Sequence, residues 1–436
     1  MWYWECFTPH PPIVIPEVGR GREREAEQTI RGFAGLRRLT GSNIPDFILL
    51  LSPHAPFGGG ITFSSAERYE GDFSMFGAPV PKYGFGGAVE QARAFAEKLS
   101  EEFPVFMAEK HHMTLDHGAL VPLASLFGEK EAGSVKLVLA NPIGLTPEQS
   151  YGLGQALAGI EDTASWGLVS SGDLSHRVSP DAPAGYSPAG APFDKKVTEA
   201  FKKNTALELL SLSPREIEDA GECGLRSALI FLGLGKDRGT RLLSYEAPFG
   251  VGYAVAYASL HAAPDLARSV ISRFFEKEGD SHVKEAERFL RFPELRKKSA
   301  CFISLKKSGD LRGCIGTIFP RSGSLAMEIC ENAIAAAFHD PRFPPLSRGE
   351  LDTVSISVDI LSTTEQITGI EELNPSKYGV VVEKNGARGV LLPDLEGVET
   401  VEQQLSIAAR KAGITTLQGA LISRFSVLRV REAGRI

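Results

Sequence analysis

The apolar residues of this chain follow two patterns. Short unbroken runs, from Phe47 to Leu51, Val135 to Ala140 and Trp166 to Ser170, have the length and composition of strands buried on both faces, as in a parallel sheet. Aromatic-rich Trp2 to Phe7 reads as a first strand and Pro104 to Ala108 as a short one. Between them, Arg22 to Leu39 and Ala88 to Glu102 carry the helical period of amphipathic surface helices. Thr146-Pro147-Glu148 opens another helix, with a capping threonine and a proline in the first turn. Further helices are predicted over 193–204, 206–210, 214–220 and 223–232, and final strands over 242–260. Strand alternating with helix predicts an α/β unit, a mostly parallel sheet flanked by helices. Residues 57–87, rich in Gly, Pro, Phe and Tyr, predict a hairpin or long loop over the strand ends, one that sets substrate size.

Around His261 to Asp265 the pattern changes. Helical periodicity over 266–276 and 283–290 is followed by strand, turn and strand over 299–319. An alanine-rich helix spans 325–338, and strands over 354–361, 378–383 and 423–432 flank a helix over 403–413. Helices mixed with hairpins predict a compact α+β domain. The expected organisation is residues 1–262 followed by residues 266–436.

Composition narrows this picture little. With 436 residues, 43% hydrophobic and 23% charged, the chain has the make-up of a soluble protein of two or three domains. A net charge of -7 supplies no positive field for nucleic acid or anionic lipid. The five cysteines, Cys6, Cys223, Cys301, Cys314 and Cys330, form no C-x-x-C pair, which argues against a zinc ribbon or disulfide scaffold and fits a reducing cytoplasm. The amino terminus has no basic segment followed by a long apolar one, so no signal peptide is expected. No apolar run approaches the roughly 20 residues of a membrane span.

The candidate chemistry lies in the histidines. Six of nine precede residue 180, and four of these (His10, His54, His117, His176) follow an apolar run and stand beside Pro, Gly, Ser or Asp. If the preceding strands are neighbours, the four imidazoles converge where open α/β sheets bind ligands. Neutral imidazole is a common metal ligand and a general base near pH 7. Two histidines and a carboxylate, from Glu222 or Glu246, would suit a non-haem Fe(II) oxygenase, and zinc hydrolysis uses a similar set. The plainer alternative is that these histidines only cap loops. His111 and His112 read as solvated, and His261, His282 and His339 as structural. Asp116 and Asp173 read as turn formers or as partners that orient an imidazole.

Thr8-Pro9-His10-Pro11-Pro12, Ser52-Pro53-His54, Asp116-His117-Gly118 and Ser171-Gly172-Asp173-Leu174-Ser175-His176 resemble the class III extradiol ring-cleaving dioxygenases, the LigB superfamily, which includes the Memo proteins. The resemblance covers residues 1–260 and implies O2-dependent cleavage of a catechol-type ring at an Fe(II) site. It assigns His10, His54 and Glu222 as metal ligands, His176 as base and His117 as acid. Memo proteins have a cysteine in this region, which matches Cys223. Cys223 and Glu246 are therefore alternative ligands, zinc or copper alternative metals, and a non-catalytic metal-binding scaffold the alternative function.

Leu311-Arg312-Gly313-Cys314-Ile315-Gly316 matches the six-residue signature of the AMMECR family, and Phe338 to Leu346 adds a second motif of that family. On a strand, Arg312 and Cys314 share a face, and Gly313 and Gly316 admit a close neighbour. Cys314 is either a thiolate activated by a nearby cation or a small buried hydrophobe, the simpler reading. The fusion resembles the components of the AmmeMemoRadiSam system, which implies a binding role for the second half and a radical SAM protein as partner. The chain has no Cys-x3-Cys-x2-Cys motif and is not itself that component.

Overall fold

In the computed structural model, Phe47–Leu51 is an inner strand of a parallel sheet. It pairs with Lys136–Asn141 on one side and with Trp166–Ser171 on the other. Trp2–Thr8 lies parallel on the far side of Trp166–Ser171. Residues 2–41, 44–160, 162, 164–236, 238–276, 281–395 and 397–432 are described, and the chain divides into two units, 1–260 and 261–436.

Burial on both faces explains the unbroken apolar runs. Ile48, Leu49 and Leu50 are each 0% exposed. Leu49 and Leu51 join a core with Phe95, Leu153, Phe201 and Phe231, and alternation turns Ile48 and Leu50 to the other face. Helices Val89–Leu99, Pro147–Ala158, Gly190–Lys203 and Leu225–Leu234 cover the first face, and Glu27–Thr40 and His117–Leu126 pack from the second. Thr146 caps its helix in a reciprocal box with Gln149. Tyr253–Ser259 pairs antiparallel with Trp2–Thr8, and Thr240–Glu246 extends that edge.

The expected hairpin within residues 57–87 is present, Arg68–Phe73 with Ala78–Gly87, and a short buried strand that was not expected, Ile61–Ser65, precedes it. A second local expectation differs from what is observed. His117 is the first residue of a helix capped by Asp116, rather than a residue just past a strand of the parallel core.

The second unit is an antiparallel sheet. Asp310–Gly316, Cys301–Lys307, Val354–Leu361, Leu421–Arg431, Tyr378–Lys384 and Ala387–Leu391 lie in that order. Helices Ala263–Phe274, Ser281–Phe289 and Leu325–Phe338 close one core with it, and Val401–Lys411 closes a smaller one at the far end. No described helix is long and apolar enough to cross a membrane.

Candidate metal centre

Three adjacent parallel strands end at Thr8, Ser171 and Leu51, so the residues that follow each of them meet at one edge of the sheet. His10 comes from the first, Asp173 and His176 from the second, and His54 from the third. His117 arrives on its own helix. His10, His54 and His117 can each offer a ring nitrogen, and these nitrogens lie within 4.8 Å of one another. The ring centroids are 5.0 Å apart for His10 and His54, 4.7 Å for His54 and His117, and 5.6 Å for His10 and His117.

Hydrogen bonds settle which nitrogen of His10 is free. Its Nδ1 lies 2.8 Å from Ser171 Oγ, and that hydroxyl donates to the Gly118 carbonyl at 2.5 Å. The Ser171 proton is therefore committed, so His10 Nδ1 carries the hydrogen and Nε2 keeps its lone pair. Burial, opposed by Asp173 and reinforced by the neighbouring imidazoles, lowers the His10 pKa to about 4. Burial, then His54, also lowers that of His117. Both are neutral at pH 7, the form that binds metal.

The His54 loop is pinned from below. Asn141 Nδ2 donates to the carbonyls of Pro53 (3.2 Å) and Ala55 (2.6 Å). Asp116 Oδ1 accepts the Ala119 N–H at 3.2 Å, and its Oδ2 lies 3.8 Å from His54 Nδ1. A side chain at position 118 would put its Cβ 2.6 Å from His54 Cδ2, so only glycine lets this ring in.

His176 Nδ1 donates to the Gly221 carbonyl at 2.6 Å, because a carbonyl can only accept. Its Nε2 is 4.0 Å from Asp173 Oδ2. Asp173 in turn accepts the His10 backbone N–H at 2.9 Å. The loop carrying both is held by Ser175 N–H on Asp194 Oδ1 and by Leu174 N–H on the Gly252 carbonyl, each 2.8 Å.

The expected third ligand is engaged elsewhere. Glu222 Oε1 accepts from Arg226 Nη1 at 2.8 Å, and Oε2 accepts the Leu225 N–H at 2.6 Å, capping helix Leu225–Leu234. Burial raises its pKa, opposed by Arg226. The adjoining Cys223 turns inward, its Sγ 3.8 Å from His10 Nε2 and 3.2 Å from the Asp173 N–H that donates to it. Glu246 accepts Thr29 N–H at 2.6 Å and Thr29 Oγ1–H at 2.7 Å, at the start of helix Glu27–Thr40. His111 and His112 pair with Glu67 and Glu70 outside the cluster. The expected ligand set thus comes together only in part, as His10 and His54, and His117 stands with them.

A cavity of about 330 Å³ opens beside the cluster. His10, His54, His117, Asp173 and His176 form its polar side. Pro12, Phe249 and Tyr253 form its apolar side. Phe249 had no mark in the sequence beyond standing in the turn Ala-Pro-Phe-Gly between the last two strands of the unit, and Tyr253 none beyond opening the last strand. The convergent imidazole donors fit a single transition-metal ion.

In the second unit most of the six-residue signature has structural work. Arg312 donates to Glu350 at 3.2 and 3.1 Å and to the Pro344 carbonyl at 2.9 Å. A Cβ on Gly313 would lie 2.2 Å from the Ala336 carbonyl, and one on Gly316 would lie 2.3 Å from the Phe302 ring. Cys314 is half-buried, and its thiol accepts from Ser304 Oγ at 3.3 Å. Its face is opposite the one that carries buried Ile303 and Leu305, so it is not the core residue the simpler reading expected.

Residues 5–256 match the family model described as the catalytic LigB subunit of aromatic ring-opening dioxygenase, and residues 264–430 match AMMECR1. A Clostridium acetobutylicum protein is 35% identical over 98% of both chains. A Thermotoga maritima protein is 53% identical over 31% of this chain and 79% of its own length. The crystal structure of an uncharacterised Escherichia coli K12 protein aligns with 58% of this chain and 99% of its own, at 15% identity and a TM-score of 0.43. The chain belongs to the LigB family of aromatic ring-opening dioxygenase subunits, with an AMMECR1 domain following in the same polypeptide.

Proposed function

We propose that the first unit holds one non-haem Fe(II) ion and uses O2 to open the ring of a small catechol-type substrate. The observation that carries this reading is the cluster of three imidazoles, with donor nitrogens within 4.8 Å, beside an aromatic-walled cavity. Family membership supports the reaction class. Bound Fe(II) would supply the redox chemistry that lets a spin-paired diol react with O2. His10, His54 and His117 would hold the ion, with Ser171 and Asp116 fixing the orientation of the first two rings. His176 Nε2 takes the proton of a substrate hydroxyl while Nδ1–H stays on Gly221, and Asp173 at 4.0 Å stabilises the resulting imidazolium. His117, neutral and beside His54, suits ligation better than proton donation. Phe249 and Tyr253 offer flat apolar walls to an aromatic ring.

A second reading, a Memo-like metal scaffold without turnover, is favoured by one specific observation. Cys223 Sγ stands 3.8 Å from the free nitrogen of His10, whereas Glu222 is tied to Arg226. The two readings separate by metal analysis after anaerobic purification, together with O2 uptake on a catechol panel. Iron retained in Glu246→Ala, lost in His54→Ala and His117→Ala, with catechol-dependent O2 uptake abolished by His176→Ala, supports the dioxygenase. Metal that depends on Cys223, with no O2 uptake on any catechol, supports the scaffold. The fused AMMECR1 domain is the ground for a cytoplasmic radical SAM partner, tested by co-purification from cells.

A further inference from the structure

His54 is a wall shared by two cavities. On one side lies the 330 Å³ pocket of the histidine cluster. On the other lies a second chamber of about 410 Å³. The partition is rigid, because Asn141 bonds the carbonyls on both sides of His54 and the ring edge packs against Gly118. The floor of the second chamber is apolar, built from Ala55, Pro56, Met113, Leu115, Ala119 and Leu139. Its rim is polar, with Lys110, His112, Thr114 and Asp116.

The rim carries one cation, Lys110, and one anion, Asp116, and among the described residues the two form no ion pair with each other. Asp116 is used twice, by the Ala119 N–H at 3.2 Å and by His54 at 3.8 Å. His112 Nε2 lies 3.5 Å from Glu70. Lys110 is exposed, and among the described residues its ammonium has no ion-pair partner. An apolar floor below an uncommitted cation matches a compact ligand with an apolar body and one anionic end.

We propose that this chamber is a second ligand site, taking a small carboxylate-bearing molecule whose body lies over Met113 and Leu139 and whose carboxylate pairs with Lys110. The site needs no metal.

The five methionines make a direct test available. Met113 lines the chamber, while Met75 is on the hairpin tip and Met327 in the second unit. Sodium phenylacetate is titrated into the metal-free full chain carrying ¹³C-methyl methionine. The expected result is a saturable shift of the Met113 methyl with Met75 and Met327 unmoved. Phenylacetamide, which has the same shape without the charge, and the Lys110→Glu chain should each bind about tenfold more weakly, the worth of one charge-assisted hydrogen bond. Lys110→Arg should retain binding. Lys110 is exposed, so its variants keep the fold. A Met113 methyl that stays still at millimolar phenylacetate, or shifts equally in Lys110→Glu, overturns the proposal. Because the titration is run without metal, its result stands apart from whether iron binds the neighbouring cluster.

Discussion

At the scale of the residue, the centre depends on which way single protons point. The hydroxyl of Ser171 donates to Gly118 and so forces His10 to present Nε2. Ser171→Ala removes that constraint, and metal affinity measured by chelator competition should fall about 10–100-fold, the usual cost of losing such a partner. A second residue-scale effect concerns pH. Burial raises the Asp194 carboxyl to about 7, against lowering by the Ser175 and Tyr245 hydrogen bonds. The folded chain therefore holds a proton that the unfolded chain releases at the ordinary value of 3.8. Stability from this group is present below pH 3.8 and declines as pH rises to about 7. Glu5, buried with neither oxygen hydrogen-bonded among the described residues, acts with the same sign. Asp194→Asn keeps an acceptor for Ser175, so its denaturation midpoint should fall less between pH 4 and pH 7 than that of the unaltered chain. His10 and His54 were legible because each directly follows a buried strand. The choice between Glu222 and Cys223 was not. Neighbouring residues point different ways at a helix start, and the cap geometry turns Glu222 to Arg226 and Cys223 to His10. The sequence trace was the four-residue spacing of Glu222 and Arg226, which here joins a residue before the helix to the first turn within it.

At the scale of the element, the signature strand Asp310–Gly316 is an edge, and its polar backbone is covered by side chains. Asp340 Oδ2 accepts the Cys314 N–H at 2.8 Å, and Arg342 Nη2 donates to the Cys314 carbonyl at 2.8 Å. The two motifs of this unit thus lock together, and the edge is closed to further strands at that point. Gly313 lets helix Leu325–Phe338 approach the same strand. Gly313→Ala would push Ala336, and the helix with it, off the strand and should destabilise the second unit by about 1–3 kcal/mol, read from its denaturation midpoint. That the glycine admits a close neighbour could be expected from its place in a strand. That the neighbour is the carbonyl of Ala336 could not, because the two are far apart in sequence and meet only by packing.

At the scale of the whole molecule, each unit closes its own core. Among the described residues, the cluster around Leu49, Phe95 and Phe231 draws only on residues up to Leu260, and the one around Ile303, Ile329 and Val358 only on residues from Ala262. A fragment of residues 1–260 should accordingly unfold cooperatively and bind metal as the full chain does, measured by thermal circular dichroism and chelator competition. By itself the sequence determined the parallel core, the amphipathic helices, the positions of His10, His54 and His176 just past buried strands, and both family motifs. These follow from hydrophobic period and turn residues, which act over a few neighbours. Only the tertiary structure decided that His117 joins His10 and His54, that Glu222 is spent on a helix cap, and that His54 divides two cavities. The first and last of these depend on which strands lie side by side and on where a single glycine, Gly118, lets a ring pass. The meeting of the histidines and the two cavities are set by contacts between residues distant in the chain, whereas the Glu222 cap is a local contact whose outcome the sequence left open.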